Sequence, residues 1–335
     1  MGNRAQYQSW TRIASGTNEL IQGKKQVMQN LFIIGSPRSG TTFLASLLKP
    51  TRYGAPFETQ FILKYLEKLP SYGDIHEPAV FNRLISDICK ERAIAQWQVD
   101  IDPAALMQEL PENFNYRQVV DLLCKKLMAK KGKSEWGDKT PHYILKLPKL
   151  VNLFPNAKYL YIVRDGRDVA LSLLKKDWGP NNAYACAKQW QEANNTGQMT
   201  IIKELEANGQ LLYVKYEELV DNTAKECKRI YEFVGEDMAQ HQEAVDQLVS
   251  SVMASNYAKW KTKMSKKDIE IYEAVAGKDL ALHGYEVNDA AKPLSGMQIA
   301  YYKLHDFALW SKHMFVQNII DGIKIKFFGK QPFNQ

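Results

Sequence analysis

The 335-residue sequence has few of the residues that build disulfides or metal sites. Its four cysteines, Cys89, Cys124, Cys186 and Cys227, lie far apart, and no Cys-x-x-Cys or Cys/His cluster joins them. The six histidines show no His-Glu-x-x-His spacing. We therefore expect reduced, mostly buried thiols and no metal cofactor.

Long apolar runs and dense runs of positive charge are also missing. No apolar stretch reaches the roughly 20 residues of a membrane-spanning helix. Residues 1–6 continue into polar sequence without the apolar region of a signal peptide. The sequence therefore predicts a cytoplasmic protein with no membrane span. The net charge is +7, but no Lys/Arg run is dense enough to indicate nucleic-acid binding.

The most informative feature present is a glycine-rich turn that follows an apolar run. Residues 31–34 (Leu-Phe-Ile-Ile) have the composition of a buried strand, residues 35–42 (Gly-Ser-Pro-Arg-Ser-Gly-Thr-Thr) that of a tight turn, and residues 43–48 that of a helix. Such a turn directs several backbone N–H groups at one point, in front of the positive end of the helix dipole. The segment therefore predicts a site for a phosphate-type anion.

The turn has the spacing of a P-loop, G-x-x-x-x-G-K-[ST], with one departure. Thr41 occupies the position of the lysine. An NTPase places that lysine on the β- and γ-phosphates, whereas this turn carries its cation, Arg38, inside the loop. The pattern favours a phosphorylated ligand other than a nucleoside triphosphate.

A second apolar run, residues 159–163, is followed by Arg-Asp-Gly-Arg-Asp-Val-Ala-Leu-Ser. Arg164 then lies at the carboxyl end of a strand, where open α/β sheets bind ligands. Asp165 or Asp168 can cap the next helix, and Ser172 falls one to two turns into it. An arginine and a hydroxyl placed in this way predict contacts with a second phosphate. The alternative for Arg164 is a salt bridge with Asp165 or Asp168.

The two segments together resemble the sulfotransferase family. Residues 36–44 (SPRSGTTFL) are similar to its 5′-phosphosulfate loop, and residues 164–172 (RDGRDVALS) to its 3′-phosphate motif. Three further segments match in the same order. They are Gly137–Pro141 (GDKTP, similar to the GEKTP of bacterial and Golgi-type members), residues 213–219 (YVKYEEL, similar to xxRYEDL), and Trp260-Lys261 with residues 283–285 (similar to WK…LGY). The resemblance extends from about residue 30 to 287.

This resemblance implies a sulfuryl donor, 3′-phosphoadenosine 5′-phosphosulfate (PAPS), with adenosine 3′,5′-bisphosphate (PAP) as its product. It implies in-line transfer of the sulfuryl group to an acceptor hydroxyl. Within the donor site, Arg38 would neutralise charge at the 5′ end and Tyr216 would lie near the adenine. The donor-binding residues implied are Pro37, Arg38, Ser39, Gly40, Thr41, Thr42, Arg164, Ser172 and Tyr216.

The first candidate for the general base is Glu58, in a Glu-Thr stretch. Tyrosylprotein sulfotransferases carry a catalytic glutamate in a similar stretch at nearly the same distance after the loop. The alternative is that Glu58 merely stabilises the start of a helix at 57–69 through the helix dipole. His142 is the rival base and His76 a third candidate. Lys139 is predicted to bind the leaving or transferring oxygens or to orient the acceptor, so the catalytic set is Glu58, Arg38, Lys139 and His142.

Strands that alternate with helices over residues 29–290 predict an α/β domain with a P-loop-type central parallel sheet flanked by helices. Residues 1–28 are predicted to form a polar lead-in. The predicted strands are 30–35, 158–163 and 211–215, and the predicted helices are about 40–49, 57–69, 79–97, 115–130, 166–176, 182–207, 222–235 and 239–253.

The last segment, residues 291–335, is rich in aromatic and aliphatic residues interleaved with lysines. We expect a helical C-terminal extension that packs on the core and ends in a short strand or helix. The alternative is a segment that docks on a membrane surface or on a partner.

Two other functions compete with sulfuryl transfer. A P-loop kinase with an atypical loop would need a Mg²⁺-holding aspartate after a strand, for which Asp165 is the candidate. A non-catalytic nucleotide-binding protein would bind the nucleotide but would not respond to mutation of Glu58. The expected partner is a small-molecule, carbohydrate or peptide acceptor, bound by the variable loops at 50–80, 95–115 and 177–185.

Overall fold

The computed structural model describes residues 30–251, 257–288 and 291–328. The predicted lead-in of residues 1–28 lies outside the described residues. Four parallel strands form one sheet in the order β2-β1-β3-β4. These strands are β1 (Leu31–Gly35), β2 (Gly137–Asp138), β3 (Lys158–Val163) and β4 (Leu211–Lys215).

Strands β1 and β3 are almost continuously apolar because both faces of the sheet are covered. Along β1, Phe32 and Ile34 enter one core cluster, whereas Leu31 and Ile33 enter the other. All four side chains are fully buried. The alternation of Cβ directions along a strand thus feeds two separate cores.

The helices are listed here in chain order. They are α1 (Thr41–Leu47), α2 (Phe61–Tyr72), α3 (Pro78–Lys90), α4 (Arg92–Ala95), α5 (Pro103–Gln108), α6 (Tyr116–Ala129), α7 (Leu147–Leu153), α8 (Gly166–Leu173), α9 (Ala183–Asn194), α10 (Thr196–Ala207), α11 (Tyr216–Asp221), α12 (Thr223–Val234), α13 (Gln242–Ser251), α14 (Trp260–Lys263), α15 (Lys266–Leu282) and α16 (Gly296–Phe328). Two 3-10 helices span Pro141–Lys146 and Met238–His241.

The helices form a layer on each face of the sheet. On one face α1, α11, α12 and α13 contribute to a core that includes Leu44, Leu219 and Ile230. On the other face α2, α3, α6, α8, α9 and α15 contribute to a larger core that includes Trp190 and Tyr272. This three-layer arrangement confirms the predicted α/β class with a parallel sheet flanked by helices.

Two predicted helices are interrupted by tertiary contacts. The helix predicted over 79–97 breaks at Glu91, whose carboxylate accepts hydrogen bonds from Lys64 Nζ at 2.9 Å and Tyr65 Oη at 2.9 Å. The helix predicted over 182–207 breaks after Asn194, whose side-chain oxygen accepts from Tyr161 Oη at 2.9 Å. Local periodicity cannot reveal such breaks because the partners lie on distant segments.

The start of α2 and the strand β2 also differ from the predictions. Helix α2 begins at Phe61, not at residue 57, and continues past Pro70, which lies in its last turn. A proline there removes one intrahelical hydrogen bond at an end that frays in any case. Strand β2 has two residues and carries no periodic pattern, so it was missed.

The C-terminal extension is helical, as predicted, and α16 is one continuous helix of 33 residues. One side of α16 packs against α9 and the segment before it. Tyr302 stacks with Tyr184 at 6.1 Å between ring centroids, and Asp306 Oδ1 accepts from the backbone N of Asn181 at 2.7 Å. In the described ranges, every helix is too short or too polar to cross a lipid bilayer. The proposed domain boundaries stay a prediction.

Candidate active site

Each strand of the sheet ends where a predicted site segment begins. The glycine-rich loop follows β1, Lys139 follows β2, Arg164 follows β3, and Tyr216 follows β4. Because the strands are parallel, these four segments lie along one edge of the sheet. The carboxyl edge of an open parallel sheet is where such folds bind ligands.

The loop after β1 has the geometry of an anion cradle. Arg38 and Gly40 have φ angles of 71° and 95°, which curl the chain before α1. The first N–H groups of α1, from Thr41 onward, have no acceptor within the helix. The hydroxyl of Ser39 is buried and has no hydrogen-bond partner. A buried hydroxyl without a partner is costly, so this loop is shaped for a polar ligand.

The remaining loop residues frame this cradle. Pro37 and Thr41 are buried, whereas the side chain of Thr42 is exposed at the first turn of α1. The loop thus presents backbone N–H groups and hydroxyls on a rigid base.

Arg164 and Tyr216 build a platform beside the loop. The Arg164 guanidinium carbon lies 4.3 Å from the centroid of the Tyr216 ring. A Cβ atom on Gly40 would lie 2.3 Å from Tyr216 Cδ2, so the loop approaches the ring as closely as a glycine allows. Arg164 Nη1 also donates to the backbone oxygen of Arg38 at 3.4 Å. Arg164 Nη2 also lies 3.9 Å from Asp168 Oδ2, so the alternative ion pair is present beside the stacking on Tyr216. These contacts fix an arginine next to the anion cradle.

The structure brings the two sequence motifs into direct contact. Arg38 Nε donates a hydrogen bond to Ser172 Oγ at 3.0 Å. Ser172 lies on α8, the helix that follows Arg164. The residues predicted for two different phosphates are therefore neighbours, as one ligand with two phosphate groups requires.

The second arginine of the RDGRD segment has a structural role. Arg167 is buried, donating from Nη2 to Asp165 Oδ2 at 2.7 Å and from Nη1 to Glu273 Oε1 at 2.6 Å. Its guanidinium lies 3.6 Å above the Trp260 ring. The Asp165 side chain also caps α8 by accepting from the Arg167 backbone N. This network holds the start of α8, and with it Arg164, in position. Nothing in the local sequence pointed to Glu273.

Glu58 and Lys139 form an ion pair at the same edge of the sheet. Their side chains are 40% and 12% exposed. Phe57 and Asp138 form an isolated parallel β-bridge, and the backbone N of Lys139 donates to the backbone oxygen of Phe57 at 2.8 Å. The segment that carries Glu58 therefore runs alongside β2. Because α2 begins three residues later, at Phe61, Glu58 does not lie in the first turn of a helix.

The two histidine candidates differ in their surroundings. The surrounding protein partly removes water from the His142 ring, and this desolvation lowers the pKa of His142. The negative charge of the Glu58 carboxylate partly opposes that shift. His142 is therefore electrostatically coupled to Glu58, and its role as rival base stays a prediction. His76 has partners on both ring nitrogens, Asp74 Oδ1 at 2.8 Å and Phe114 O at 2.9 Å, which indicates a structural role.

Asp138 is a residue of this site that the sequence analysis missed. It is fully buried and accepts three hydrogen bonds, from Thr59 N at 2.9 Å, Thr140 N at 2.8 Å and Thr140 Oγ1 at 3.1 Å. Thr140 Oγ1 in turn accepts from the backbone N of Gln60, which has a φ of 55°. Asp138 thus clamps the residues on either side of the Glu58–Lys139 pair. The aspartate within the GDKTP segment is the sequence signal that could have indicated this role.

Burial raises the pKa of Asp138 to about 6, against the opposing effect of its hydrogen bonds to Thr59 and Thr140. In the window between the unfolded pKa near 4 and the folded pKa, the folded chain holds a proton that the unfolded chain has released. We therefore expect the stability of the wild type, relative to Asp138→Asn, to rise by up to about 3 kcal/mol as the pH falls from 7 to 4. Urea unfolding of both proteins at several pH values measures this difference. A difference that is flat with pH would contradict the prediction.

Asp102→Asn is the matched control. The exposed Asp102 carboxylate also accepts a backbone N–H, that of Ala104 at 3.0 Å. Asparagine caps a helix about as well as aspartate. We expect its unfolding free energy to follow the wild type across the same pH range.

Comparisons with known proteins identify the family. The family model described as "Sulfotransferase family" matches residues 30–240. A protein of Caenorhabditis briggsae described as a putative protein-tyrosine sulfotransferase is 24% identical over 65% of this chain and 70% of its own length. Protein-tyrosine sulfotransferase 1 of Danio rerio is 22% identical over 77% of this chain and 73% of its own.

Among solved structures, the sulfotransferase domain from the curacin biosynthetic pathway aligns with 79% of this chain and all of its own, at 20% identity and a TM-score of 0.49.

Within the described ranges, no group of three or more His, Cys, Asp or Glu side chains is arranged to hold a metal ion. The family match spans well over half of the chain and includes the loop after β1, the Glu58–Lys139 pair, Arg164 and Tyr216. This chain belongs to the sulfotransferase family.

Proposed function

We propose that this sulfotransferase transfers a sulfuryl group from PAPS to an acceptor hydroxyl. The observation that carries the proposal is the convergence of four segments at the ends of four adjacent strands. Two of them, the loop after β1 and Arg164, are suited to bind anions, and the Glu58–Lys139 pair would supply a base and a cation. In PAPS the activated sulfuryl group is bonded to the 5′-phosphate, from which it would pass to the acceptor.

The donor fits the residues that are present. The N–H groups of the loop and the unpaired Ser39 hydroxyl would bind the 5′-phosphosulfate. Arg164 and Ser172 would bind the 3′-phosphate, and Tyr216, which already supports Arg164, would lie against the nucleoside. Arg38 would lie between the two phosphates, since its side chain contacts Ser172 and its backbone belongs to the loop.

The acceptor hydroxyl would react beside the Glu58–Lys139 pair. Glu58 would take the proton of the acceptor hydroxyl while the hydroxyl oxygen forms a bond to sulfur. The bond from sulfur to the 5′-phosphate oxygen breaks in the same displacement, and PAP leaves with the electron pair. Lys139 would stabilise the negative charge that develops on the transferring or leaving oxygens. Asp138 would hold both residues in register.

Two observations argue against the kinase alternative. Asp165, the candidate magnesium ligand, has both carboxylate oxygens bound to Arg167. Thr41 occupies the position where an NTPase carries its lysine. The loop therefore lacks the lysine that holds the β- and γ-phosphates in an NTPase.

Calorimetric titration tests the proposal directly. PAP is titrated into the wild type without added metal, and ATP with magnesium is titrated in parallel. We expect PAP to bind at least about 100-fold more tightly than ATP, because each charge-assisted contact to the 3′-phosphate contributes about 1.5–3 kcal/mol. Absence of PAP binding by the folded protein would overturn the proposal.

Gly40→Ala tests the close approach of the loop to Tyr216. The added Cβ would overlap the ring, which must then move and take Arg164 with it. We expect the Kd for PAP, measured by the same titration, to rise at least about tenfold. Gly73→Ala is the control, since Gly73 has a similar φ of 97° but no atom within 4 Å of its Cβ position. Equal effects of both variants would mean that backbone strain alone is responsible.

The acceptor is proposed only as a hydroxyl compound. Tyrosine peptides, carbohydrates and small phenols form the panel to test with PAPS, and the tyrosine peptides are included because of the names of the relatives above. The cytoplasmic location stays a prediction.

A further inference from the structure

A stripe of highly exposed hydrophobic side chains runs along α16. Its members are Met297, Tyr301, Leu304 and Phe315, with 85%, 62%, 67% and 67% of their surface exposed. Among the described residues, these are the four most exposed large hydrophobic side chains. Scattered exposed hydrophobic residues are ordinary on a protein surface, whereas a contiguous patch marks an interaction site.

The spacing of these residues puts them on one face of the helix. Successive intervals of 4, 3 and 11 residues each return close to the same direction at 3.6 residues per turn. The exposed Ala308 lies on the same face within the 11-residue interval. The stripe therefore extends over about 27 Å of helix, at about 1.5 Å per residue. A line of this length on one face has the form of an elongated contact surface.

The opposite face of α16 is the one that packs on the protein. Asp306 lies about 180° around the helix from Met297 and Phe315, and it binds Asn181 beside α9. Phe307 and Trp310 line a groove between α16 and α9. The stripe is thus turned away from the body of the protein while the helix is held in place from behind.

The charge of this segment is strongly one-sided. Residues 291–335 contain six lysines and two aspartates, with no arginine or glutamate, which gives +4 out of the net +7 of the whole chain. One of the two aspartates, Asp306, is already engaged by Asn181. A segment with this net positive charge is attracted to a negatively charged surface and repelled by a second copy of itself.

We propose that the stripe Met297–Tyr301–Leu304–Phe315 docks this protein on an anionic lipid surface. The helix would lie in the plane of the interface, with the stripe in the boundary between headgroups and acyl chains and the lysines on anionic headgroups. Tyrosine suits this position because it has an apolar body and a polar end. The proposal is independent of the donor and of the acceptor.

Vesicle co-sedimentation of the full chain tests the proposal. Vesicles of phosphatidylcholine alone are compared with vesicles that also contain phosphatidylserine, at low and at high salt. We expect binding to the anionic vesicles that weakens with salt, because salt screens the lysine–headgroup attraction. Binding that is absent, or equal for both vesicle types, would overturn the proposal.

A double variant, Leu304→Gln with Phe315→Gln, tests the stripe itself. We expect it to bind anionic vesicles at least about tenfold more weakly, since glutamine at these two positions offers much less apolar surface to bury in the lipid interface than leucine or phenylalanine does. The control is Leu282→Gln, the same change at a 44% exposed leucine on α15, which should bind as the wild type does. Unchanged melting temperatures would confirm that both variants fold. In sedimentation velocity without lipid, a wild-type dimer that the double variant abolishes would assign the stripe to a second copy and overturn the lipid proposal.

Discussion

Glu58→Gln is expected to lower kcat by about 10²- to 10⁴-fold, the usual contribution of a positioned general base. Glutamine has nearly the shape of glutamate, but it cannot take up the proton of the acceptor hydroxyl. Glu58 lies in a segment fixed to β2 by backbone contacts and by Asp138, so the substitution should leave the backbone in place. The measurement is the initial rate of PAP release with the best acceptor of the panel.

Two further measurements make this result specific. The Kd for PAP should stay within about twofold of the wild type, because no predicted donor contact involves Glu58. Glu67→Gln is the matched control, since Glu67 is another carboxylate paired with lysines, Lys146 at 2.7 Å and Lys149 at 2.6 Å, but on the exposed surface of α2. It should retain the wild-type rate.

An unchanged kcat in Glu58→Gln would remove Glu58 as the base. His142→Gln would then identify the rival, because His142 is the neighbouring titratable group that senses the Glu58 charge. The wild type and Glu58→Gln could also both bind PAP while neither forms PAP from PAPS with any acceptor. This protein would then be a non-catalytic nucleotide-binding protein.

Arg164→Ala is expected to raise the Kd for PAP by about 100-fold or more. The variant loses a fork of charge-assisted hydrogen bonds to the 3′-phosphate, each contributing about 1.5–3 kcal/mol. In the wild type the guanidinium is already stacked on Tyr216 and only 12% exposed. Little conformational entropy is therefore lost when the phosphate binds. Calorimetric titration of PAP gives the affinity directly.

The matched control for Arg164 is Arg83→Ala. Arg83 also stacks on a tyrosine, with its guanidinium 5.0 Å from the centroid of the Tyr72 ring, and donates to the Tyr72 backbone oxygen at 2.8 Å. It lies on α3, and its loss should leave the PAP affinity unchanged. Arg164→Lys keeps the charge but loses the planar fork, so we expect an intermediate affinity. Wild-type affinity in Arg164→Ala would place the 3′-phosphate elsewhere.

The buried network around Arg167 explains why two arginines of one motif have different roles. Arg164 follows directly from β3 and reaches the ligand edge, whereas Arg167 points into the core between Asp165 and Glu273. The sequence indicates Arg164 as the ligand arginine because it directly follows the strand. The position of α15, which brings Glu273 from more than 100 residues away, explains why Arg167 is engaged inside the protein.

The sequence by itself determined the parts of this protein that depend on neighbouring residues. Continuous apolar runs gave β1 and β3, since strands buried on both faces need no alternation. The glycine-rich turn and the Arg-Asp-Gly segment indicated the proposed anion sites, because turn geometry and helix capping are set within a few residues.

The tertiary structure alone decided which distant groups meet. Four contacts each join segments that are distant in the chain: Arg38 with Ser172, Asp138 with Thr59, Glu58 with Lys139, and Arg164 with Tyr216. Strand order in a parallel sheet is fixed by the packing of both helix layers and not by any one segment. The chemistry of this site therefore arises from an order of strands that no local pattern contains.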